Sequence, residues 1–252
     1  MRPLSSSDLL HIWERGTGRK LIERALIIID GVFPQAPGDL LVKLDVGQRD
    51  LCLLHLRALT FGSRLNGLAE CPACHQFLEL DFDLYDMPIS TSPLPDLETL
   101  IMLKTETSFQ VNGYDVTFRL PNSADLASLG TGMEITSKRQ QLLEACIISV
   151  KDGDTILQAN ELPADILDDI AEYMGRAAPL ADLTLSAICP SCNHTWEIMF
   201  DIVSFFWGEI HAWSSRLVRE VNSLSMAYGW READILAMSA WRRQQYLQLI
   251  GA

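Results

Sequence analysis

Two short cysteine motifs are the residues of this chain with the clearest capacity for chemistry. They read CPAC at 71–74 and CPSC at 189–192. Two residues between paired cysteines let both thiolates bind one ion about 2.3 Å away, and two such pairs supply the four ligands of a tetrahedral structural zinc site. The sequence therefore predicts one closed zinc site per chain, with the ligands Cys71, Cys74, Cys189 and Cys192.

The residues that follow the two motifs also match each other. HQFLELDFDL follows the first motif and NHTWEIMFDI follows the second. When the cysteines are aligned, identical residues coincide in three places: Glu79 with Glu197, Phe82 with Phe200, and Asp83 with Asp201. Apolar residues alternate along both runs, which indicates a strand after each motif. The two segments are thus predicted to be two halves of one site.

Paired cysteines can also reflect redox chemistry, a disulfide framework or chance. A thioredoxin-type CxxC begins a helix, whereas a strand is predicted after each pair here. A secreted disulfide framework is disfavoured because no signal peptide is recognised and 252 residues bury an ample core. His75 and His194 lie close enough in sequence to replace a ligand, but four cysteines complete the set without them.

The residue that follows the second cysteine of each motif also fits a zinc site. Zinc knuckles commonly place glycine after the second cysteine, where φ is positive. His75 and Asn193 occupy this position here, and both residue types tolerate positive φ.

The two remaining cysteines, Cys52 and Cys146, lie in segments with helical apolar spacing, so we expect buried free thiols. Unpaired cysteines of this kind indicate a reducing compartment.

Composition narrows the classes of function. The chain has 252 residues, of which 48% are hydrophobic, and no apolar run approaches the roughly 20 residues of a membrane span. The net charge of −13 disfavours nucleic acid, which needs a basic face. Acidic residues concentrate at 79–99 and 151–187. These regions are either a solvated face or a docking surface for a basic partner.

Several helices and one hairpin can be placed from the sequence. Capped or periodic helical segments are predicted at 5–16, 20–30 and 46–61, the last ending at Gly62. Between the two motifs lie 114 residues, in which Asn112-Gly113 predicts a β-hairpin. A helix is then expected to begin at Asn122 or Ser123. The segment RQQLLEACIISV is predicted to be a helix or a buried segment, and a further helix is predicted at 161–174, ending at Gly175.

These elements predict the α+β class, mainly helical, with a central four-cysteine zinc ribbon and an inserted hairpin module. The predicted divisions are a helical region at 1–70, ribbon halves at 71–84 and 185–202, an inserted hairpin and helical module at 85–184, and an aromatic-rich helical tail at 203–252.

The tail is the candidate surface for a protein partner. A long amphipathic helix is predicted there, followed by two short helices. Trp, Tyr and Arg are enriched in binding surfaces, so we consider Trp213, Trp230, Trp241, Arg242 and Arg243 as partner-binding residues. The arginine pair is expected to be exposed. The competing interpretation is that these aromatic residues only close the core.

No catalytic machinery is recognisable. The chain has no GxSxG, HExxH or Walker motif. Four thiolate ligands leave no open position on the ion for a reactive water. We therefore expect a non-enzymatic protein without a small-molecule substrate.

The order of several segments resembles a known family. These are GQRDLCLLHLR, FGSRLNGLAECPAC, FRLPNSADL and a closing AYGWREADIL followed by Ser239 and Arg242–Arg243. Together they resemble T4-type phage baseplate hub assembly chaperones and baseplate proteins, including relatives in extracellular contractile injection systems. The resemblance implies an assembly factor that works with baseplate or hub proteins in the bacterial cytoplasm. A permanent baseplate subunit and a CxxC redox or metal enzyme are the alternatives.

Overall fold

A computed structural model describes residues 1–33, 37–84, 106–130, 132–178 and 180–251. The protein combines helices with small antiparallel sheets, which confirms a mixed helix and strand class. The acidic stretch at 85–99 and the first part of the predicted insertion, 85–105, lie outside the described residues. Among the described residues, no helix is both long and apolar enough to cross a membrane.

The elements follow one another in this order: α1 (Ser6–Gly16), α2 (Leu21–Asp30), α3 (Gly38–Lys43), α4 (Val46–Phe61), β1 (Arg64–Glu70), β2 (Phe77–Asp83), β3 (Glu106–Val111), β4 (Tyr114–Arg119), α5 (Ser123–Ser128), α6 (Ile135–Cys146), β5 (Ile147–Asp152), β6 (Thr155–Leu157), α7 (Ala164–Ala177), β7 (Thr184–Ile188), β8 (Thr195–Met199), α8 (Ile202–Tyr228), α9 (Glu232–Leu236) and α10 (Ala240–Leu249). A short 3₁₀ turn, Ala159–Glu161, precedes α7.

Side-chain caps explain where the principal helices begin. Ser5, Asp45 and Asn122 each accept a backbone amide hydrogen bond at the start of α1, α4 and α5. In each case the residue at the third helical position returns a hydrogen bond to the cap. These reciprocal pairs satisfy amides that have no partner within the helix. The helix starts near 5, 46 and 122 are therefore fixed by local sequence.

A helical core joins the N-terminal region to the start of α8. Helices α1, α2 and α4 bury the side chains Ile12, Ile28, Ile29, Leu53 and Leu54, and α8 contributes Phe206 and Ile210 to the same cluster. Residues far apart in the chain thus share one core, since α8 begins about 140 residues after α4 ends. Burial of this apolar surface is the main stabilising contribution here.

The inserted module has a separate core. Its sheet has the order β3-β4-β5-β6, with every pair antiparallel. The first hairpin turns at Asn112 and Gly113, both with positive φ, as the Asn-Gly signal predicts. Val116, Phe118 and Val150 on this sheet face Ile166 and Ile170 of α7. The described residues of this cluster all lie between 109 and 174.

Two predicted elements of the insertion need correction. The segment RQQLLEACIISV is not one element, because α6 ends at Cys146 and β5 begins at Ile147. Its β-branched isoleucines and valine favour the strand. The helix expected to end at Gly175 continues to Ala177, so Gly175 lies within α7. A glycine inside a helix costs about 1 kcal/mol, which neighbouring packing can offset.

The inserted module is attached to the helical core through polar contacts. Asp45 and Asn122 form an isolated antiparallel bridge, and the Val46 amide donates to the Pro121 carbonyl at 3.0 Å. Arg49 is buried, donates to Asp50 at 2.7 Å and reaches the Ser123 hydroxyl at 3.4 Å. The GQRDL and LPNSAD motifs therefore meet at the joint between the two cores.

The tail packs on the last turns of α8. Leu224, Ile235 and Leu247, one from each of α8, α9 and α10, form a small cluster. Arg243, which the sequence analysis places on the surface, is only 3% exposed. Its guanidinium donates to Glu220 at 3.0 Å and to the Met238 carbonyl at 2.7 Å. The expectation of an exposed Arg243 is therefore wrong, because this residue holds α10 to α8.

A buried arginine connects three elements of the helical core. Arg57, near the end of α4, donates to both carboxylate oxygens of Glu209 on α8, at 2.6 and 2.9 Å. The same guanidinium donates to the carbonyls of Gly62 and Arg64, both at 2.6 Å. It also lies over the ring of Phe205, 5.5 Å from its centroid. Arg57 thus fixes α8 and the start of β1 relative to α4.

Replacing this arginine should destabilise the protein strongly. Arg57→Met leaves Glu209 and two carbonyls without their donor, so we expect the free energy of unfolding to fall by about 3 kcal/mol in urea denaturation. Arg64→Met removes an arginine–carboxylate ion pair with Asp81 in which both side chains are exposed. Its effect should be far smaller because water screens that pair. Equal losses for the two variants would contradict this assignment.

Candidate metal centre

The four cysteines of the two motifs lie at the tips of two β-hairpins. In the first hairpin β1 pairs with β2, from Arg64 opposite Asp83 to Glu70 opposite Phe77. In the second, β7 pairs with β8, from Thr184 opposite Met199 to Ile188 opposite Thr195. The predicted boundary at residue 71 falls inside the first hairpin, since β1 precedes the cysteines and belongs to it.

The two turns that carry the cysteines have the same backbone geometry. The amides of His75 and Asn193 donate to the carbonyls of Cys71 and Cys189, each at 2.9 Å. His75 has φ 58° and Asn193 has φ 57°, so the positive φ anticipated at this position is present in both turns. The equivalence of the two half-sites extends from their sequence to their backbone.

The sulfur atoms are grouped closely enough to share one ion. All four Sγ atoms lie within 4.8 Å of one another. The Sγ atoms of Cys71 and Cys192 are 3.7 Å apart, and those of Cys74 and Cys189 are 3.6 Å apart. A disulfide needs about 2.05 Å, so these are separate thiols. A tetrahedral ion with metal–sulfur bonds of about 2.3 Å has edges of about 3.8 Å, close to both distances.

Backbone amides surround the cluster and favour thiolates. The Gln76 amide lies against Cys74, the His194 amide against Cys192, and the amides of Ser191 and Cys192 against Cys189. Burial raises the pKa of Cys189, but these amides and the neighbouring thiols lower it by more, so the resulting pKa is about 6. The Gln76 amide lowers the pKa of Cys74, but its thiol neighbours and burial outweigh it and raise the value to about 12. Four clustered thiols cannot all ionise without a cation.

One side of the cluster is buried and the other is open. Cys71 and Cys189 have no exposed surface and pack with Leu78 and Trp196, which occupy equivalent positions in the two hairpins. Cys74 and Cys192 are exposed. The ring of His75 contacts Glu70 at 2.6 Å, and that of His194 stacks on Trp196. Neither histidine contributes a ligand atom to the cluster, which consists of the four cysteines.

The two hairpins contribute equivalent cysteines to the two short sulfur contacts. Exchange of the half-sites turns the Cys71–Cys192 contact into the Cys189–Cys74 contact, and the two distances agree within 0.1 Å. Phe82 and Phe200, matched in the sequence repeat, meet edge to face at 5.6 Å. Sequence reasoning recognised that these phenylalanines are equivalent but missed that they touch. Their equivalent positions in a repeat around a shared site were the signal that could have predicted this contact.

The matched aspartates have different roles. Asp83 accepts a hydrogen bond from Ser63 at 2.8 Å, beside the first hairpin. Asp201 caps α8 by accepting from the Val203 amide at 2.9 Å. The repeat therefore ends where the second hairpin becomes a long helix. The remaining pair, Glu79 and Glu197, is exposed on β2 and β8.

The predicted partner-binding residues do not form one cluster. Trp213 is half-buried and lines a cavity of about 410 Å³ between α8 and α10. Trp230 is half-buried and stacks on Tyr228 at 4.4 Å. Trp241 is 72% exposed, and the exposed Arg242 lies over the Tyr246 ring at 5.8 Å. Only Trp241 and Arg242 offer an open surface, since Arg243 is buried.

The two cysteines outside the motifs are buried thiols. Burial raises the pKa of Cys52 to about 12 and that of Cys146 to about 11. Such thiols carry little thiolate at neutral pH and are poor nucleophiles. They serve as matched controls for the cysteines of the cluster.

Comparison with protein families gives a match over most of the chain. The model of a family described as T4 bacteriophage base plate protein matches residues 7–207. No curated protein and no solved structure matches the chain significantly. The matched segment contains both hairpins, the inserted module and the first turns of α8. The tail, with its AYGW and arginine residues, lies beyond it.

The cysteine cluster should bind one metal ion per chain. We expect elemental analysis of protein purified under reducing conditions to show one equivalent. Cys74→Ser and Cys192→Ser should each lower the metal content and the thermal midpoint together, because metal binding is coupled to folding. Cys146→Ala should retain the full equivalent. A metal-free wild-type protein, or a Cys74→Ser protein with unchanged stability, would contradict the assignment.

The positive φ at the two turns gives a separate, symmetric prediction. Asn193→Gly should change the free energy of unfolding by less than about 1 kcal/mol, because glycine adopts this φ freely but orders at an entropic cost. Asn193→Val should cost about 2 kcal/mol, since a β-branched side chain is strained there. The same pair of substitutions at His75 should give the same ranking in urea denaturation. A tolerated valine at either turn would show that the turn is not constrained.

Proposed function

Because the chain belongs to the family of T4 bacteriophage base plate proteins, we propose that it is a non-enzymatic assembly factor for the baseplate or hub of a phage-tail-like contractile injection system. The observation that carries this proposal is the family match over residues 7–207, which includes both hairpins, the inserted module and most of the helical core. The proposed site of action is the bacterial cytoplasm, where the partners are baseplate or hub proteins.

The metal we propose for the cysteine cluster is zinc, in a structural role. Four thiolates at near-tetrahedral spacing are a donor set that zinc commonly takes. A site with four protein ligands has no position for substrate, which supports a role in folding rather than in chemistry. If the elemental analysis described above finds zinc, it supports this assignment. If it finds iron, the assignment of zinc is wrong.

Charge supports protein partners over nucleic acid. The chain carries 33 acidic and 20 basic residues, so its long-range field repels phosphate backbones. The same field accelerates association with basic proteins. An assembly factor that meets its partner in solution benefits from that steering.

The tail supplies the surface that we propose for docking. Trp241 is 72% exposed and stands beside the exposed Arg242, while Leu249 lies two turns further along the same side of α10 and is 76% exposed. An aromatic side chain next to an arginine is the composition most often found at the energetic centre of protein interfaces. The helix itself is held firmly, because Leu247 and Arg243 fix its other face to α8.

A permanent subunit of the baseplate is the second candidate. The description of the matching family names a base plate protein, which favours a component that stays in the particle. The two candidates differ in whether the protein is present in purified complete particles. A redox or metal enzyme built on the CxxC pairs is the least supported alternative, since all four thiols belong to one closed group.

The tail provides a direct test of the assembly role. We expect a Trp241→Ser, Arg242→Glu double variant to be folded and metal-loaded but to reduce the yield of complete particles at least tenfold in cells that lack the wild-type copy. The reason is the loss of an exposed aromatic anchor and its neighbouring charge. Particles are counted by electron microscopy after purification.

The control is a matched pair on α8. Val218 is 46% exposed and is followed by the exposed Arg219, so Val218→Ser with Arg219→Glu makes the same change of character elsewhere. That control should form particles at normal yield. Normal yield from the Trp241–Arg242 variant would exclude the tail as the docking surface, and normal yield from a strain lacking the gene would exclude the assembly role altogether.

A further inference from the structure

The inserted module carries an apolar groove that neither the cysteine cluster nor the tail uses. It lies between α6 and α7, has a volume of about 530 Å³ and is open to solvent. Leu142 and Leu143 line it from α6, and Ala171 and Met174 line it from α7. We call this surface the α6–α7 groove. Grooves of this size with mainly apolar walls are typical of sites that bind a ligand or a peptide.

The walls of the groove have the spacing of helix faces. Ile135, Lys138 and Leu142 recur at three and four residues along α6, and Ile135 is 83% exposed although it is apolar. On α7, the lining includes Gly175, around which a side chain would find open space. The 12 residues of α6 give the groove a length of up to about 18 Å, or three turns of a helix.

Basic residues outnumber acidic ones in the lining of the groove, in contrast to the protein as a whole. Lys138 is half-buried along the groove, and no carboxylate among the described residues pairs with its ammonium group. Arg139, its neighbour, pairs with Asp168 on α7 at 2.6 Å. One acidic residue, Asp182, also lines the groove. An unpaired lysine at an apolar groove, in a chain with net charge −13, is complementary to a carboxylate.

A smaller cavity extends the groove past the Arg139–Asp168 pair. It measures about 200 Å³ and shares Arg139 and Leu143 with the larger one. Leu167 of α7 lies on its wall. The two cavities together follow α7 from Ala164 to Gly175 and are not confined to one round pocket. An extended shape of this kind fits a rod-like occupant better than a compact small molecule.

We propose that the α6–α7 groove binds an amphipathic helix of a partner protein. The helix presents apolar side chains at i, i+4 and i+7 to the groove and a carboxylate to Lys138. This inference deepens the assembly role and rests on it for the identity of the partner as a baseplate component. Binding at the groove itself is a property of this chain alone. The groove borders Pro121, whose carbonyl joins the inserted module to α4, so a bound helix lies next to that joint.

Gly175 and Gly208 provide a matched pair of variants for the test. Both glycines lie inside helices, and a Cβ added to either meets no atom within 4 Å. Gly175→Leu fills the groove, whereas Gly208→Leu places the same side chain on α8, away from it. Both substitutions raise helix propensity equally. Lys138→Glu reverses the charge of the groove without filling it.

The probe is a displayed library of random 16-residue peptides, selected on the full-length metal-loaded protein. Enriched peptides are then synthesised with a fluorescent label and titrated by anisotropy. We expect the enriched set to be amphipathic, helical and acidic. Gly175→Leu and Lys138→Glu should each weaken their binding at least tenfold, and Gly208→Leu should leave it unchanged.

Three outcomes would overturn the inference. The first is enrichment of basic peptides, or of none. The second is equal affinity for the wild type and Gly175→Leu, provided that circular dichroism and metal content show the variant to be folded. The third is a wild-type dimer in sedimentation that Gly175→Leu dissociates, because the occupant would then be a second copy. Particle yield plays no part in this test, so its failure is distinct from failure of the assembly role.

Discussion

The meeting of the two cysteine hairpins is the contact on which the rest of the structure depends. The Sγ atoms of Cys74 and Cys189 are 3.6 Å apart, although 114 residues separate them in the chain. Closing a loop of that length costs conformational entropy that the contacts at its ends must offset. Beyond the cluster, Phe82 packs on Phe200, which packs on Phe205, and the ring of Phe205 lies under Arg57. A continuous line of ring contacts thus runs from the base of the two hairpins to the helical core.

The polar motifs on which the family resemblance rests serve mainly to join parts of the fold. Arg49 and Asp50 of GQRDL are buried beside Ser123 of LPNSAD. Burial of the Asp50 carboxyl raises its pKa, and the Arg49 guanidinium opposes that shift. Arg57, near the end of the same helix, is likewise buried and donates four hydrogen bonds. Charged residues in these motifs therefore hold elements together, a role that a search for catalytic residues would misinterpret.

Local signals in the sequence were sufficient for the Asn112-Gly113 turn and the capped helix starts, because each depends on residues within a few positions of one another. The grouping of the four cysteines was predicted instead from the repeat that follows each CxxC motif, since the two motifs lie far apart in the chain. What the sequence could not separate was Arg242 from Arg243, since both follow the same cap and only the position of α8 decides which is buried. The groove was equally out of reach. Gly175 is typical of a helix end, yet it lies inside α7, where its missing side chain leaves space between two helices.

The separation of the two cores has a consequence for the order in which the chain folds during synthesis. Among the described residues, the core of the inserted module uses side chains from 109 to 174, so these can pack together once that segment has left the ribosome. The helical core begins with Leu4 but also needs Phe206 and Ile210. Domains usually fold from the N-terminus onward as they emerge. Here the later segment can fold first, and the N-terminal helices must wait with exposed apolar faces until α8 arrives.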